Sequence, residues 1–190
     1  ENTRDLDTVS YTLYQPNIYP QQSYDSAQYS MIMERYNAII NMNKTSDLVI
    51  FPETIISIPF TREDEFFKSF QTTTDDTNML ITGLFSKSDD KFFNSMIFFS
   101  DNINIYNKRK LVPFGEYTPW YNSLLKLAEN LNIPLSNLSS GPERIEKISF
   151  GNINIIPMIC FESTFPNLIE STSDQEIIVN ISNDAWFGDS

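Results

Sequence analysis

The stretch that decides the fold is Ile153-Asn154-Ile155-Ile156-Pro157-Met158-Ile159-Cys160-Phe161-Glu162-Ser163-Thr164. Seven residues rich in Ile, apolar on both faces, predict a buried strand over 153–159. The strand stops abruptly at Cys160. A residue at a sharp turn leaving a strand is pushed out of the sheet edge, where a nucleophile can reach a substrate. Upstream, 144–150 pairs with this strand across Gly151-Asn152, and 176–181 supplies the last strand.

Working outward, strands and helices alternate. Val9 to Gln15 alternates apolar and polar residues and closes at Pro16, so it reads as a strand. Ser23 to Met42 reads as a helix, with Ile32, Tyr36, Ile39 and Ile40 recurring on one face. Leu48 to Phe51 is a short buried strand ending at Pro52. Glu63 to Gln71 is a short helix with Phe66, Phe67 and Phe70 on one side, and Met79 to Phe85 is again a strand. Two hairpins follow, turning at Ser88-Asp89-Asp90 and at Ser100-Asp101-Asn102, where Asp and Asn suit the turn by bonding their own backbone. Lys108 to Pro119 is predicted irregular, Trp120 to Leu131 helical and Phe165 to Glu170 helical. The pattern predicts an α/β protein, a sheet with layers on both sides.

Composition narrows the chemistry. The chain has 190 residues, 25 Asp and Glu against 13 Lys and Arg, and a net charge of −12. So acidic a surface argues against a nucleic-acid partner, which needs a basic footprint. The length fits one domain, and 41% hydrophobic with 14% aromatic residues suffices for a core. No stretch approaches the roughly 18 apolar residues of a membrane span. There is one cysteine and no histidine. Internal disulfides, Ser-His-Asp triads, Cys-His pairs and Cys- or His-rich zinc sites are therefore excluded. A nucleophile must take its base from a carboxylate or a lysine.

Three residues stand at predicted strand ends. Glu53 follows Val49-Ile50-Phe51-Pro52 and faces the crevice where open sheets bind ligands; a partly buried carboxylate there is a better base. Lys108 opens a run of three cations that enters the loop Val112-Pro113-Phe114-Gly115-Glu116, where an inward ammonium can hold an oxyanion and Glu116 can orient it. Cys160 is the third. Taken singly, each has a plainer reading: a helix-start carboxylate, a solvated basic face, a buried small apolar side chain.

Together, Glu, Lys and Cys in this order resemble the nitrilase, or carbon–nitrogen hydrolase, superfamily at Pro52-Glu53-Thr54, Lys108 to Leu111 and Ile159-Cys160-Phe161-Glu162. Three further stretches are similar to its apolipoprotein N-acyltransferase branch: Tyr14-Gln15-Pro16-Asn17-Ile18, Leu111 to Pro119, and Ile181-Ser182-Asn183-Asp184-Ala185-Trp186-Phe187-Gly188. The sequence departs from that branch at Phe161, where Tyr is usual, and at Tyr24, the nearest equivalent of a tryptophan after the first strand.

The resemblance implies an α-β-β-α sandwich and one catalytic domain over 1–190, with a C-terminal part of the sheet and flanking membrane helices outside this chain. It implies acyl transfer from a membrane phospholipid, through a Cys160 thioester, to the α-amine of a diacylglyceryl-cysteine in an apolipoprotein, at the periplasmic side of a bacterial inner membrane and without cofactor or metal. Glu53 would be the base, with Lys108 and the Phe161 N–H the oxyanion donors. Glu116 would hold Lys108, and Glu162 would support the nucleophile from behind. Tyr24, Phe114, Tyr117 and Trp120 would contact the lipid, Trp and Tyr being suited to a surface dry at one end and wet at the other. Two alternatives stand beside this: a soluble amidase or nitrilase with the same three residues, and a binding module that keeps the fold without the chemistry. Strand alternation puts Lys108 and Lys110 on one face and leaves open which is the working cation; the family register selects Lys108.

Overall fold

The computed structural model describes residues 8–16, 26–43, 45–54, 59–60, 67–68, 70, 74, 78–121, 137–143, 148–169 and 176–183, the first turns of the helix by their backbone. A five-stranded sheet has the order β1 (Tyr11–Leu13), β2 (Leu48–Ile50), β3 (Met79–Ser88), β4 (Lys91–Phe99), β5 (Ile103–Asn107). Its first three strands run parallel and the rest form two antiparallel hairpins. A second sheet orders β6 (Ile148–Phe150), β7 (Ile153–Ile159) and β8 (Glu176–Ile181). In it β6 runs antiparallel to β7, and β7 parallel to β8. The described long helix is α1, Ser26–Met42.

The period of two along each strand builds the layers. Val49, Phe51, Leu80, Leu84, Ile97 and Phe99 point to one side, against Tyr36 and Ile40 of α1 and the helical residues Phe67 and Phe70. Leu48, Met79, Ile81, Met96, Phe98 and Tyr106 point to the other, against Ile148, Ile155, Ile159, Val179 and Ile181 of the second sheet. A helix, then a sheet, then a second sheet are thus packed in order, which is why the central strands carry no polar face.

Both hairpin turns fall where the Asp-rich stretches predict. Ser88 pairs with Lys91 across Asp89-Asp90, and Phe99 with Ile103 across Ser100-Asp101-Asn102. One expectation is corrected. Instead of a helix over 165–170, Cys160–Thr164 and Pro166–Leu168 form two short 3-10 turns. Pro166 disfavours helical geometry in the residue before it, and Phe165 accordingly sits at φ −108°, ψ 88°, breaking the path in two. The expected helix over 120–131 lies, beyond Tyr121, outside the described residues, and so does most of that over 63–71. No described helix is long and apolar enough to cross a membrane.

Candidate active site

Glu53, Lys108 and Glu116 meet where the five-stranded sheet ends. Glu53 follows β2 by three residues, in a turn whose next residue, Thr54, has φ 44°. The turn lies tight against β3: a Cβ on Gly83 would stand 2.5 Å from the Glu53 Cα, so only glycine lets this backbone approach. Lys108 follows β5 directly, its N–H bonding the Asn94 carbonyl of β4 at 2.8 Å. On its far side the Gly141 N–H bonds the Lys108 carbonyl at 2.9 Å, and a Cβ on Gly141 would collide with the Asn107 carbonyl oxygen.

Lys108 is 1% exposed, and its ammonium lies 2.9 Å from each oxygen of Glu116. Glu116 is aimed by its own loop: Val112 donates its N–H to Oε2 at 2.9 Å, and the Glu116 N–H bonds the Val112 carbonyl. Glu53 Oε1 stands further from the ammonium, at 3.6 Å. Burial pushes the Glu53 carboxyl above the ordinary carboxylate range, and nearby Glu116 pushes the same way. Lys108, the Asn94 amide and the Asn183 N–H pull against them. The expected cation is thus separated from its neighbour by packing. Lys110, two residues on, is half-buried with its ammonium 6.0 Å from the centre of the Phe165 ring.

The second sheet delivers Cys160. It is half-buried, directly after β7, with φ 53°. That left-handed conformation costs a non-glycine residue about 1–2 kcal/mol and turns the chain sharply out of the sheet. Of the five described non-glycine residues with positive φ, one is Cys160, one is Thr54 beside Glu53, and a third, Phe114, is two residues from Glu116. Strain of this kind gathers at sites where geometry is imposed from outside.

Glu162 ties the two sheets together. It is fully buried, and four donors converge on it: the N–H groups of Ile159, Arg109 and Lys110 at 2.9, 2.7 and 3.0 Å, and the Tyr106 hydroxyl at 2.8 Å. One carboxylate therefore holds the residue before Cys160 and the two residues after Lys108. Burial raises the Tyr106 phenol above its usual range, with Glu162 adding to it, so the hydroxyl stays a donor. Arg109 closes the cluster by donating to the carbonyls of Glu143 and Leu168.

Phe161 is 39% exposed and packs edge-to-face on Phe165 at 4.9 Å. Phe114 and Trp120 are 71% and 77% exposed, whereas Tyr117 is half-buried. Tyr24 lies outside the described residues, as does the stretch 184–190. Three contributors escaped the sequence reading: Asn94, Tyr106 and the Asn183 N–H, which reaches Glu53 Oε2 at 3.2 Å. The first was within reach: counting back from the hairpin turn at 100–102 puts Asn94 opposite Lys108.

The fold is thus a two-sheet α/β architecture with a buried Glu–Lys pair at the end of one sheet and a strained cysteine at the end of the other. The carbon–nitrogen hydrolase profile matches residues 12–190, and the chain belongs to that family of enzymes. Two solved structures share the fold. One is a carbon–nitrogen hydrolase of Helicobacter pylori G27, with TM-score 0.59 and 17% identity over 92% of this chain and 59% of that one. The other is a CN-hydrolase superfamily protein of Xanthomonas campestris with an arsenic adduct in its active site, with TM-score 0.58 and 19% identity over 81% and 59%. Among sequence relatives, the apolipoprotein N-acyltransferase of Pseudomonas paraeruginosa is 28% identical over 93% of this chain. That of Allorhizobium ampelinum is 29% identical over 95%. The chain spans 36% and 37% of the lengths of these two relatives.

Proposed function

We propose that residues 1–190 form the catalytic domain of an apolipoprotein N-acyltransferase, acting at the periplasmic face of a bacterial inner membrane through segments outside this chain. The observation that carries the reading is the division of labour around Lys108. Glu116 takes the ammonium in a two-oxygen ion pair, while buried Glu53 stands 3.6 Å off, a basic carboxylate with room to accept a proton. The names of the relatives, at similar identity over nearly the whole chain, favour acyl transfer. The exposed Phe114 and Trp120 suit a lipid acyl donor better than a small soluble amide.

In this reading Glu53 takes the Cys160 thiol proton and the sulfur attacks the ester carbonyl carbon of a phospholipid. Lys108 and the Phe161 N–H hold the tetrahedral oxyanion, a contribution of about 3–4 kcal/mol for one such donor. The carbon–oxygen bond breaks, Glu53 returns its proton to the departing alkoxide, and a lysophospholipid leaves. The α-amine of a diacylglyceryl-cysteine then attacks the thioester. Glu53 takes a proton from the nitrogen, the carbon–sulfur bond breaks, and the thiol is restored. No step calls for a cofactor.

The test is intact mass of the full-length polypeptide incubated with phospholipid and no amine acceptor. Wild type should carry one acyl chain on Cys160, released by hydroxylamine and discharged by an acceptor lipopeptide. Glu53→Gln should acylate about 10³-fold more slowly, as expected for loss of a general base. Hydrolysis of short amides with no acyl adduct from phospholipid would favour the amidase reading. Failure of any acyl donor to label Cys160 would leave only a binding module.

A further inference from the structure

Asn94 stands at the point where β4 and β5 meet the site. The hairpin pairs Ser95 with Asn107, and the Lys108 N–H bonds the Asn94 carbonyl, so Asn94 and Lys108 are cross-strand neighbours on one face. The Asn94 side chain is buried, and its amide nitrogen donates to Glu53 Oε1 at 2.7 Å and to Glu116 Oε1 at 2.6 Å. Chemistry settles its orientation, because only the NH₂ end can face two carboxylates. Both hydrogens are then committed. The other end, Oδ1, is buried with no hydrogen-bond partner among the described residues.

We propose that Asn94 is a positioning residue: its amide is a neutral wedge that holds the Glu53 carboxylate off the Lys108 ammonium, leaving the cation to Glu116 and Glu53 free to act as base. The distances carry this. Lys108 Nζ is within hydrogen-bond range of both Glu116 oxygens, but 3.6 Å from Glu53 Oε1 is too long for such a bond. Opposite charges buried that close attract strongly, and the amide is what Glu53 Oε1 bonds instead. An amide suits the place because it donates twice and does not titrate. An acid there would add a third negative charge to two carboxylates and one cation, and an amine would compete with Lys108.

The proposal rests on Glu53 being the base, and the experiment separates the two. In the full-length polypeptide, the pH dependence of Cys160 alkylation by iodoacetamide, followed on the Cys160 peptide, needs no acyl substrate. Thioester formation from phospholipid is measured beside it. Asn94→Ala should slow alkylation near neutral pH about tenfold, because a Glu53 collapsed onto Lys108 no longer takes the thiol proton and masks the cation's field. It should slow thioester formation about 10²-fold. Asn94→Asp should be slower still at about pH 8, but its deficit relative to wild type should narrow about tenfold by about pH 5.5, as the new carboxyl gains a proton and can donate again. A merely structural asparagine would give deficits independent of pH. Constant deficits, or an Asn94→Ala alkylation profile matching wild type, would overturn the wedge. Altered alkylation without any thioester in wild type would leave the wedge standing and remove the acyl-transfer reading.

Discussion

Two glutamates, Glu53 and Glu162, are both nearly or wholly buried within one site, yet their surroundings are opposite. Glu162 receives four donors, three of them backbone N–H groups that cannot leave. Glu53 receives one side-chain amide, one longer backbone bond and an ammonium held at arm's length. The first is a fixed acceptor that stitches the two sheets together beside Cys160. The second is held short of full compensation, and its carboxyl rises above the ordinary range. In the proposed reading the same residue type becomes a fastener or a base according to how many donors the fold supplies.

The comparison breaks most severely at Glu162. Glu162→Gln replaces an acceptor of two pairs of donors by a group with one acceptor and an NH₂ that must face N–H donors. It should cost about 3–5 kcal/mol of stability, because about two buried donors lose their acceptor at roughly 1–3 kcal/mol each. Chemical denaturation should show this, and Cys160 should lose its reactivity even in protein that still folds. A loss below about 1 kcal/mol would mean that the carboxylate is not the fastener.

Tyr106→Phe is a milder probe of the same fastener. It removes one of the four donors found among the described residues, the one of these from a side chain, and should cost about 1.5–3 kcal/mol, the range for a hydrogen bond to a charged group. The midpoint of denaturation should fall at unchanged m-value, while Glu53-dependent acylation persists.

The smallest effect sharpens the Glu53 side. Because its folded carboxyl holds a proton more tightly than in the unfolded chain, the folded state binds more protons in the window above the ordinary carboxylate pKa. Stability contributed by Glu53 is then fully present at low pH and is lost as pH rises through its raised value, by at most about 1.4 kcal/mol per pH unit. Glu53→Gln lacks this dependence. Its stability relative to wild type should therefore improve as pH rises through that window. A difference flat with pH would mean that Glu53 does not titrate above its ordinary value in the folded protein.

Much of this was legible in the chain alone. Apolar runs marked β3 and β7, and the Asp-rich turns set the hairpin registers, because local patterns and turn chemistry act over a few residues. The order of Glu53, Lys108 and Cys160 at three strand ends pointed to the site. The stretch 165–170 was misread as a helix, although Pro166 stood in the sequence to break it.

What the sequence determined by itself is therefore an α/β protein and its hairpins, from periodicity and turn preference, and, through the family resemblance, the three residues on which the candidate chemistry turns. What only the tertiary structure decided is how charge is shared among them. Alternation leaves Lys108 and Lys110 equivalent, yet one is buried against Glu116 and the other lies over Phe165. Nothing local told that Glu162 would bind the backbone of a segment 52 and 53 residues away, or that Asn183 would reach Glu53 across 130 residues. Donors and burial come from distant segments that meet only when the two sheets pack, and those are what give the two carboxylates opposite surroundings.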